Sequence, residues 1–172
     1  MSRPTPALPP ITLVDGRSGA GKTTWARELA TREGATLLSL DEVYPGWDGL
    51  EAAEQHVLVH VVRPLAAGHA ARYRRWDWAT ASPADWVDVD ATRPLVIEGC
   101  GAIGPEARRL VDHAVWVELD DAERRRRAIA RDGDVFAREW ERWARQEEWH
   151  ARRHGPRELA SEIVSDSSAR TR

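Results

Sequence analysis

The sequence predicts an α/β domain in which a parallel five-stranded sheet lies between two layers of helices, and three observations predict it. Short, almost continuously apolar runs, among them Ile11 to Val14, Leu95 to Ile97 and Ala114 to Val117, read as strands buried on both faces. These runs alternate with longer stretches of helical character from end to end, and such alternation implies crossovers that cover both faces of a parallel sheet. The first strand leads directly into Gly16-Arg17-Ser18-Gly19-Ala20-Gly21-Lys22-Thr23-Thr24, followed by a helical stretch. That is the G-x-x-x-x-G-K-[ST] spacing of a phosphate-binding loop, in the strand-loop-helix context such a loop requires.

In chain order, residues 1–9 read as a disordered leader, because closely spaced prolines exclude helix and remove sheet donors. The domain is expected over 10–165, with a flexible polar tail over 166–172. After the first strand and the loop, Trp25 to Glu33 reads as helix, and Ala35 to Leu40 as a second strand ending in Asp41. Tyr44 to Gly49 is rich in turn residues. Leu50 to Ala67 reads as a long helix with Leu50, Ala53, Val57 and Val61 on one stripe. Arg72 to Trp86 has no clear period and concentrates Tyr73, Trp76, Trp78 and Trp86, so it is expected as a small insertion or lobe. Leu95 to Gly99 is a buried strand and Pro105 to Val111 a short helix. Ala114 to Leu119 is the fourth strand, followed by a helix capped by Asp120 or Asp121. That helix carries Arg124 to Arg127 and Arg131. Beyond Asp132-Gly133-Asp134 a last helix runs to about Arg153 with Phe136, Trp140 and Trp143 on its core face. Ser161 to Val164 is the fifth strand.

Composition narrows the function. At 172 residues the chain is one domain, and 42% hydrophobic with 31% charged residues is the balance of an ordinary globular protein. A net charge of −3 gives no reason to expect nucleic acid or an anionic membrane as partner. One cysteine, Cys100, precludes an internal disulfide, and the N-terminus lacks the apolar core of a signal peptide; a cytoplasmic protein is expected.

The loop carries the chemistry. Glycines at 16, 19 and 21 allow successive N–H groups to turn inward as an anion nest at a helix start. Lys22, the only lysine in the chain, is suited to β- and γ-phosphates, and the Thr23 hydroxyl to Mg²⁺. In open α/β sheets ligands bind beyond the carboxyl ends of the strands, so Asp41 and Glu98 should converge on the loop, as a base for an incoming hydroxyl or as holders of the metal. Arg124, Arg127 and Arg131 share one helical face. Trp47, Trp76, Trp78 and Trp86 are candidates for an aromatic wall around an acceptor. His56 and His60 are spaced for a metal, but no third ligand is evident.

Four stretches in order resemble the uridine kinase and phosphoribulokinase-like branch of the P-loop small-molecule kinases. They are the loop Gly16 to Thr23, Leu40-Asp41-Glu42-Val43-Tyr44, Val96-Ile97-Glu98-Gly99, and Val117-Glu118-Leu119-Asp120 with the Arg124-x-x-Arg127-x-x-x-Arg131-Asp132 pattern that follows. The resemblance implies ATP and Mg²⁺, an acceptor-hydroxyl base at Asp41, a metal-associated carboxylate at Glu98, and a lid over about 121–135 whose arginines 124, 127 and 131 close over the triphosphate. It also implies acceptor contacts from Tyr44, from Asp48 and from Trp76-Asp77-Trp78, which stands where the family has Tyr-Asp-Phe; with the neighbouring aromatics Trp47 and Tyr73 these make up the expected acceptor region. Val43 replaces the family's phenylalanine, and the chain is short for a uridine kinase. The expected reaction is transfer of the γ-phosphoryl group to a small-molecule hydroxyl, a nucleoside being one acceptor. A monophosphate acceptor served by Arg72, Arg74 and Arg75 stays open, as does an ATP-hydrolysing regulatory module. A GTPase is disfavoured because its guanine-reading motif needs an asparagine and the chain has none.

Overall fold

The computed structural model describes residues 8–165. Positions 1–7 of the expected leader and the expected tail at 166–172 lie outside the described residues. Among the described residues, seven strands and six α-helices follow one another as β1 (Ile11–Asp15), α1 (Lys22–Glu33), β2 (Thr36–Ser39), α2 (Leu50–Val57), α3 (Arg63–Ala66), β3 (Arg72–Asp77), β4 (Ser82–Asp88), β5 (Leu95–Glu98), α4 (Pro105–Leu110), β6 (His113–Glu118), α5 (Asp121–His154), α6 (Pro156–Leu159) and β7 (Glu162–Ser165). The main sheet has the order β2-β5-β1-β6-β7, and every neighbouring pair is parallel. This is the predicted three-layer α/β arrangement with five parallel strands.

The central strands β5, β1 and β6 are mostly apolar because both faces are covered, whereas the edge strand β7 is largely exposed. Successive side chains of a strand point to opposite faces, so Leu13 and Ile97 enter one core with Leu50, Val61 and Trp143, while Val14 and Val96 enter the other with Ala26 and Leu29 of α1. β1 is central and buried along its whole length, and its carboxyl end delivers the phosphate loop to the middle of the sheet edge.

Two segments differ from the sequence expectation. The stripe Leu50, Ala53, Val57 and Val61 is buried as expected, but the helix widens into a π-helical turn over Leu58–Val62 before α3. Pro64 follows that turn and has no N–H for the carbonyl four residues back, a common origin of such irregularity. The stretch expected as an aperiodic lobe is an antiparallel hairpin of β3 and β4, with a register shift between Arg74 and Trp76. Its strands lie outside the main sheet and are largely exposed, so no alternation of apolar and polar residues marks them.

Asp120 is the cap of α5, its carboxylate accepting from the N–H groups of Ala122 and Glu123. α5 is interrupted at Gly133 (φ 69°, ψ −156°), which divides the arginine-rich part from the part carrying Phe136, Trp140 and Trp143 into the core. Among the described residues, no helix is long and apolar enough to cross a membrane.

Candidate active site

The loop closes at the carboxyl end of β1 and opens into a cleft of about 530 Å³ lined by Ser18, Gly19, Gly21, Lys22, Thr23 and Thr24. Gly16 has φ 149° and Gly19 φ 80°, conformations open to glycine. A Cβ at Gly19 would run into the Arg124 carbonyl and one at Gly16 into that of Val117, so the loop is packed from behind by β6 and the start of α5. Gly16, Arg17 and Ala20 do not line the cleft. Arg17 contributes its carbonyl, which accepts from Lys22 Nζ at 3.1 Å, while its side chain turns to Glu147 at 3.3 Å. Burial works against the Lys22 ammonium, but Cys100, Glu147, Glu98 and Asp15 around it hold its pKa above the ordinary lysine value.

The two predicted carboxylates meet the loop. Glu98, at the end of β5, accepts from the Ser39 hydroxyl at 2.5 Å and from the Thr23 hydroxyl at 3.3 Å. Burial pushes its carboxyl up, while the Ser39 hydroxyl and Lys22 pull it down. Asp41 lies one residue into the 3₁₀ turn Leu40–Glu42 that follows β2, and it lines the same cleft. Thr23, Glu98 and Asp41 thus offer a hydroxyl and two carboxylates at one place, an oxygen donor set that fits Mg²⁺.

The arginine face divides. Arg131 lines the cleft, with its guanidinium held by Asp132 at 2.6 and 2.8 Å. Arg124 is buried and turned behind the loop, donating to the Ser18 carbonyl at 2.9 Å and to Asp121 at 2.5 Å. Arg127 pairs with Glu123 at 2.8 Å and does not line the cleft. Of the three arginines expected over a triphosphate, Arg131 alone lines the cleft, because the capped first turn of α5 turns Arg124 to the loop's own carbonyl and Arg127 is held by Glu123.

Of the residues expected around an acceptor, fewer line the cleft than the sequence suggested. Tyr44, Trp47 and Trp78 line the cleft together with Phe136, Val135 and Trp143. Trp47 and Trp78 stand 5.2 Å apart between ring centroids, and the Trp78 indole N–H donates to the Asp41 carbonyl at 2.8 Å. Tyr44 is anchored to the Cys100 carbonyl at 2.8 Å. The other expected members lie elsewhere. Asp48 pairs with Arg142 on the far side of the Tyr44–Gly49 turn, Nε to Oδ1 at 2.7 Å. Tyr73 is buried against the core and donates to Glu42 at 3.3 Å. Asp77 closes the hairpin turn by accepting from Ala79 and Thr80. Trp76 and Trp86 do not line the cleft, and Trp86 instead stacks under Arg72 at 4.7 Å. His56 and His60 lie with ring centroids 4.5 Å apart beside Trp86, and His56 accepts the Arg74 N–H.

Several residues that matter here were not singled out from the sequence. Arg27 of α1 lines the cleft. Asp15 is buried at the end of β1 and accepts from the N–H groups of Gly16, Gly101 and Ile103 at 2.6, 3.1 and 2.9 Å. Burial raises its pKa against the pull of His150. Glu147 is buried under the loop and accepts from the Ser18 N–H at 2.7 Å. A signal for Glu147 and His150 was present: the core stripe Phe136, Trp140, Trp143 continues at the same alternating spacing of four and three through both residues.

No family model and no curated protein matches this chain. Solved structures do. A "possible uridine kinase" from Bacillus stearothermophilus superposes with a TM-score of 0.62 at 18% identity, covering 94% of this chain and 91% of that one. The shikimate kinase of Acinetobacter baumannii, solved with shikimate, superposes with a TM-score of 0.53 at 18% identity over 91% of this chain and 83% of that one. At such identities the likeness is one of fold, and the chain has the P-loop small-molecule kinase fold.

Proposed function

We propose that the protein is an ATP-dependent phosphotransferase that moves the γ-phosphoryl group onto a hydroxyl of a small molecule. The observation that carries this reading is the single cleft shared by Lys22, Thr23, Asp41, Glu98 and Arg131 with the tryptophan pair Trp47 and Trp78. ATP would sit with its phosphates in the loop, facing the backbone N–H groups at the start of α1. Mg²⁺ would be held by Thr23 with Glu98 or Asp41, and when bound it neutralises charge on the phosphate oxygens. Asp41 accepts the proton of the acceptor hydroxyl as that oxygen bonds to the γ-phosphorus and ADP departs. Lys22, the loop amides and Arg131 stabilise the negative charge of the transferring group.

The acceptor is a planar or sugar-like alcohol, a nucleoside being within that class. The aromatic wall supports this, since tryptophan faces suit rings and the apolar faces of sugars. An unphosphorylated acceptor is favoured over a monophosphate, because the arginines that would hold a second phosphate are engaged within and beside the hairpin. Arg72 covers Trp86, Arg74 donates to the Ala84 carbonyl, and Arg75 pairs with Glu42 at 3.7 Å. The lone thiol, Cys100, is buried beside the loop, which suits a reducing cytoplasm.

The test is ADP release from Mg-ATP across nucleosides, nucleoside monophosphates, sugars and amino alcohols, with Asp41→Asn in parallel. One acceptor should stimulate turnover, and Asp41→Asn should lower the stimulated rate by about 100-fold or more with ATP binding unchanged. Turnover that is indifferent to every acceptor and to Asp41→Asn would instead describe an ATP-hydrolysing module.

A further inference from the structure

Outside the cleft, α2 and α5 bring together Glu54, His150 and His154, each offering a ligand atom within 4.8 Å of the others. Glu54 Oε2 lies 3.5 Å from His150 Nδ1 and 3.9 Å from His154 Nε2. The side chains of Glu54 and His150 are only 5% and 4% exposed. Glu54 Oε2 and both ring nitrogens of His150 are buried with no hydrogen-bond partner. A buried polar atom left without a partner costs about 1–3 kcal/mol. Two of these atoms, Glu54 Oε2 and His150 Nδ1, face each other at 3.5 Å beside His154, and mark a place built for something to sit.

The donor chemistry says what. Two imidazole nitrogens and one carboxylate oxygen are a set that zinc takes, at about 2.0–2.2 Å per bond. Tetrahedral bonds of that length hold ligand atoms about 3.3 Å apart, so the 3.5 and 3.9 Å separations from Glu54, and the two histidine nitrogens within 4.8 Å of each other, must draw in around the ion by side-chain rotation. His150 and His154 are one helical turn apart on α5, which aims both rings the same way. His154 is 16% exposed and opens the cluster to solvent. His150 Nε2, pointing away from Glu54, lies 3.8 Å from Asp15 Oδ2. A carboxylate behind the far nitrogen of a ligating histidine is the usual outer shell of a metal site.

We propose that Glu54, His150 and His154 form a zinc site, with water at the fourth position and Asp15 as its outer-shell carboxylate. The same Asp15 accepts the Gly16 N–H at the start of the phosphate loop. The metal therefore joins α2 and α5 behind the loop and fixes the orientation of His150 against Asp15, bracing the loop from a point that ATP does not occupy. The competing occupant of His150 Nδ1 is a proton.

The test uses the full chain, stripped with a chelator and titrated with Zn²⁺ against a chromogenic chelator in excess Mg²⁺, which keeps the cleft's oxygen ligands saturated. One equivalent should bind with a Kd of about 1 µM or tighter. His154→Ala, at the half-open end of the cluster, should weaken this at least about 100-fold, while the metal-free variant binds Mg-ATP as the metal-free unaltered chain does, which reports an intact fold. His56→Ala, from the other i, i+4 histidine pair, should change nothing. Co²⁺ in place of Zn²⁺ should give visible bands of four-coordinate intensity in the unaltered chain, a readout of the donor set that needs no variant. No stoichiometric uptake would overturn the site and leave a proton as the occupant. Uptake unchanged by His154→Ala, or an octahedral cobalt spectrum, would overturn it as well.

Discussion

Glu147 accepts the backbone N–H of Ser18 at 2.7 Å across 129 residues of sequence, and so ties the phosphate loop to the last long helix. The same carboxylate takes Arg17 Nε at 3.3 Å and the Cys100 thiol at 3.2 Å. Removing it in Glu147→Ala leaves a buried N–H without an acceptor and the Arg17 guanidinium without its nearest anion. Stability should fall by about 2–3 kcal/mol, read as the urea midpoint, and ATP affinity should fall with it because the loop is no longer held in its nest shape. Glu147→Gln retains an acceptor oxygen for Ser18 and should lose clearly less. Equal losses in the two variants would place the effect in the charge and not in the Ser18 bond.

The two arginines of α5 that stand on either side of this arrangement should separate cleanly. Arg124 is a brace, buried against the Ser18 carbonyl, and Arg124→Ala should lower the melting temperature and weaken ATP binding together. Arg131 faces the cleft and is half-exposed, so Arg131→Ala should leave the melting temperature nearly unchanged. It should reduce kcat by about 10-fold or more, as expected for a cation that meets charge developing on the phosphoryl group. An Arg131→Ala variant with normal kcat would remove it from the transfer step.

The sheet was legible from sequence because burial on both faces leaves an unbroken apolar signature, as in Ile11 to Val14 and Leu95 to Ile97. That the loop, Asp41 and Glu98 share one cleft was legible because the topology forces strand ends toward one edge, and Arg131 was reached from its spacing on α5. The hairpin was not legible, since β3 and β4 bury little beyond Tyr73 and carry a register shift, so no period reaches the sequence. Glu147, His150 and Glu54 were hidden for a different reason. Charged residues in a charged helix read as surface, and only the continued four-three spacing from Phe136 marks Glu147 and His150 as inward. The spacing that groups Arg124 with Arg127 and Arg131 was correct as helix geometry, yet it could not say that the first turn is occupied by the loop's own carbonyl.

Trp78 offers a test of the acceptor end. It is 41% exposed, packs on Trp47, and donates its indole N–H to the Asp41 carbonyl. Trp78→Ala should raise the acceptor KM by up to about 10-fold, the scale of one lost aromatic contact, and leave the ATP KM alone. Trp86→Ala, equally exposed but outside the cleft, should leave both constants unchanged. If the two variants behave alike, the wall is not where the acceptor binds.

Cys100 gives a pH-dependent readout of the same region. It is buried beside Ser18 and Glu147, and burial pushes its thiol up from 9.0 to about 12, with Glu147 adding to the rise against the pull of Lys22. The folded value lies above the unfolded one, so the folded state holds its proton longer. The stability that this contributes is full below pH 9 and is lost as the pH climbs toward 12. A thiol-specific disulfide reagent at pH 8 should therefore leave the folded protein almost unlabelled and label it fully in urea, because the thiolate is the nucleophile. In Glu147→Ala the loop loosens and a raising influence on the thiol is gone, so exposure and ionisation change in the same direction and labelling at pH 8 should become faster by about 10-fold or more. Labelling as slow in Glu147→Ala as in the unaltered chain would mean that the loop stays closed over Cys100 without its carboxylate anchor.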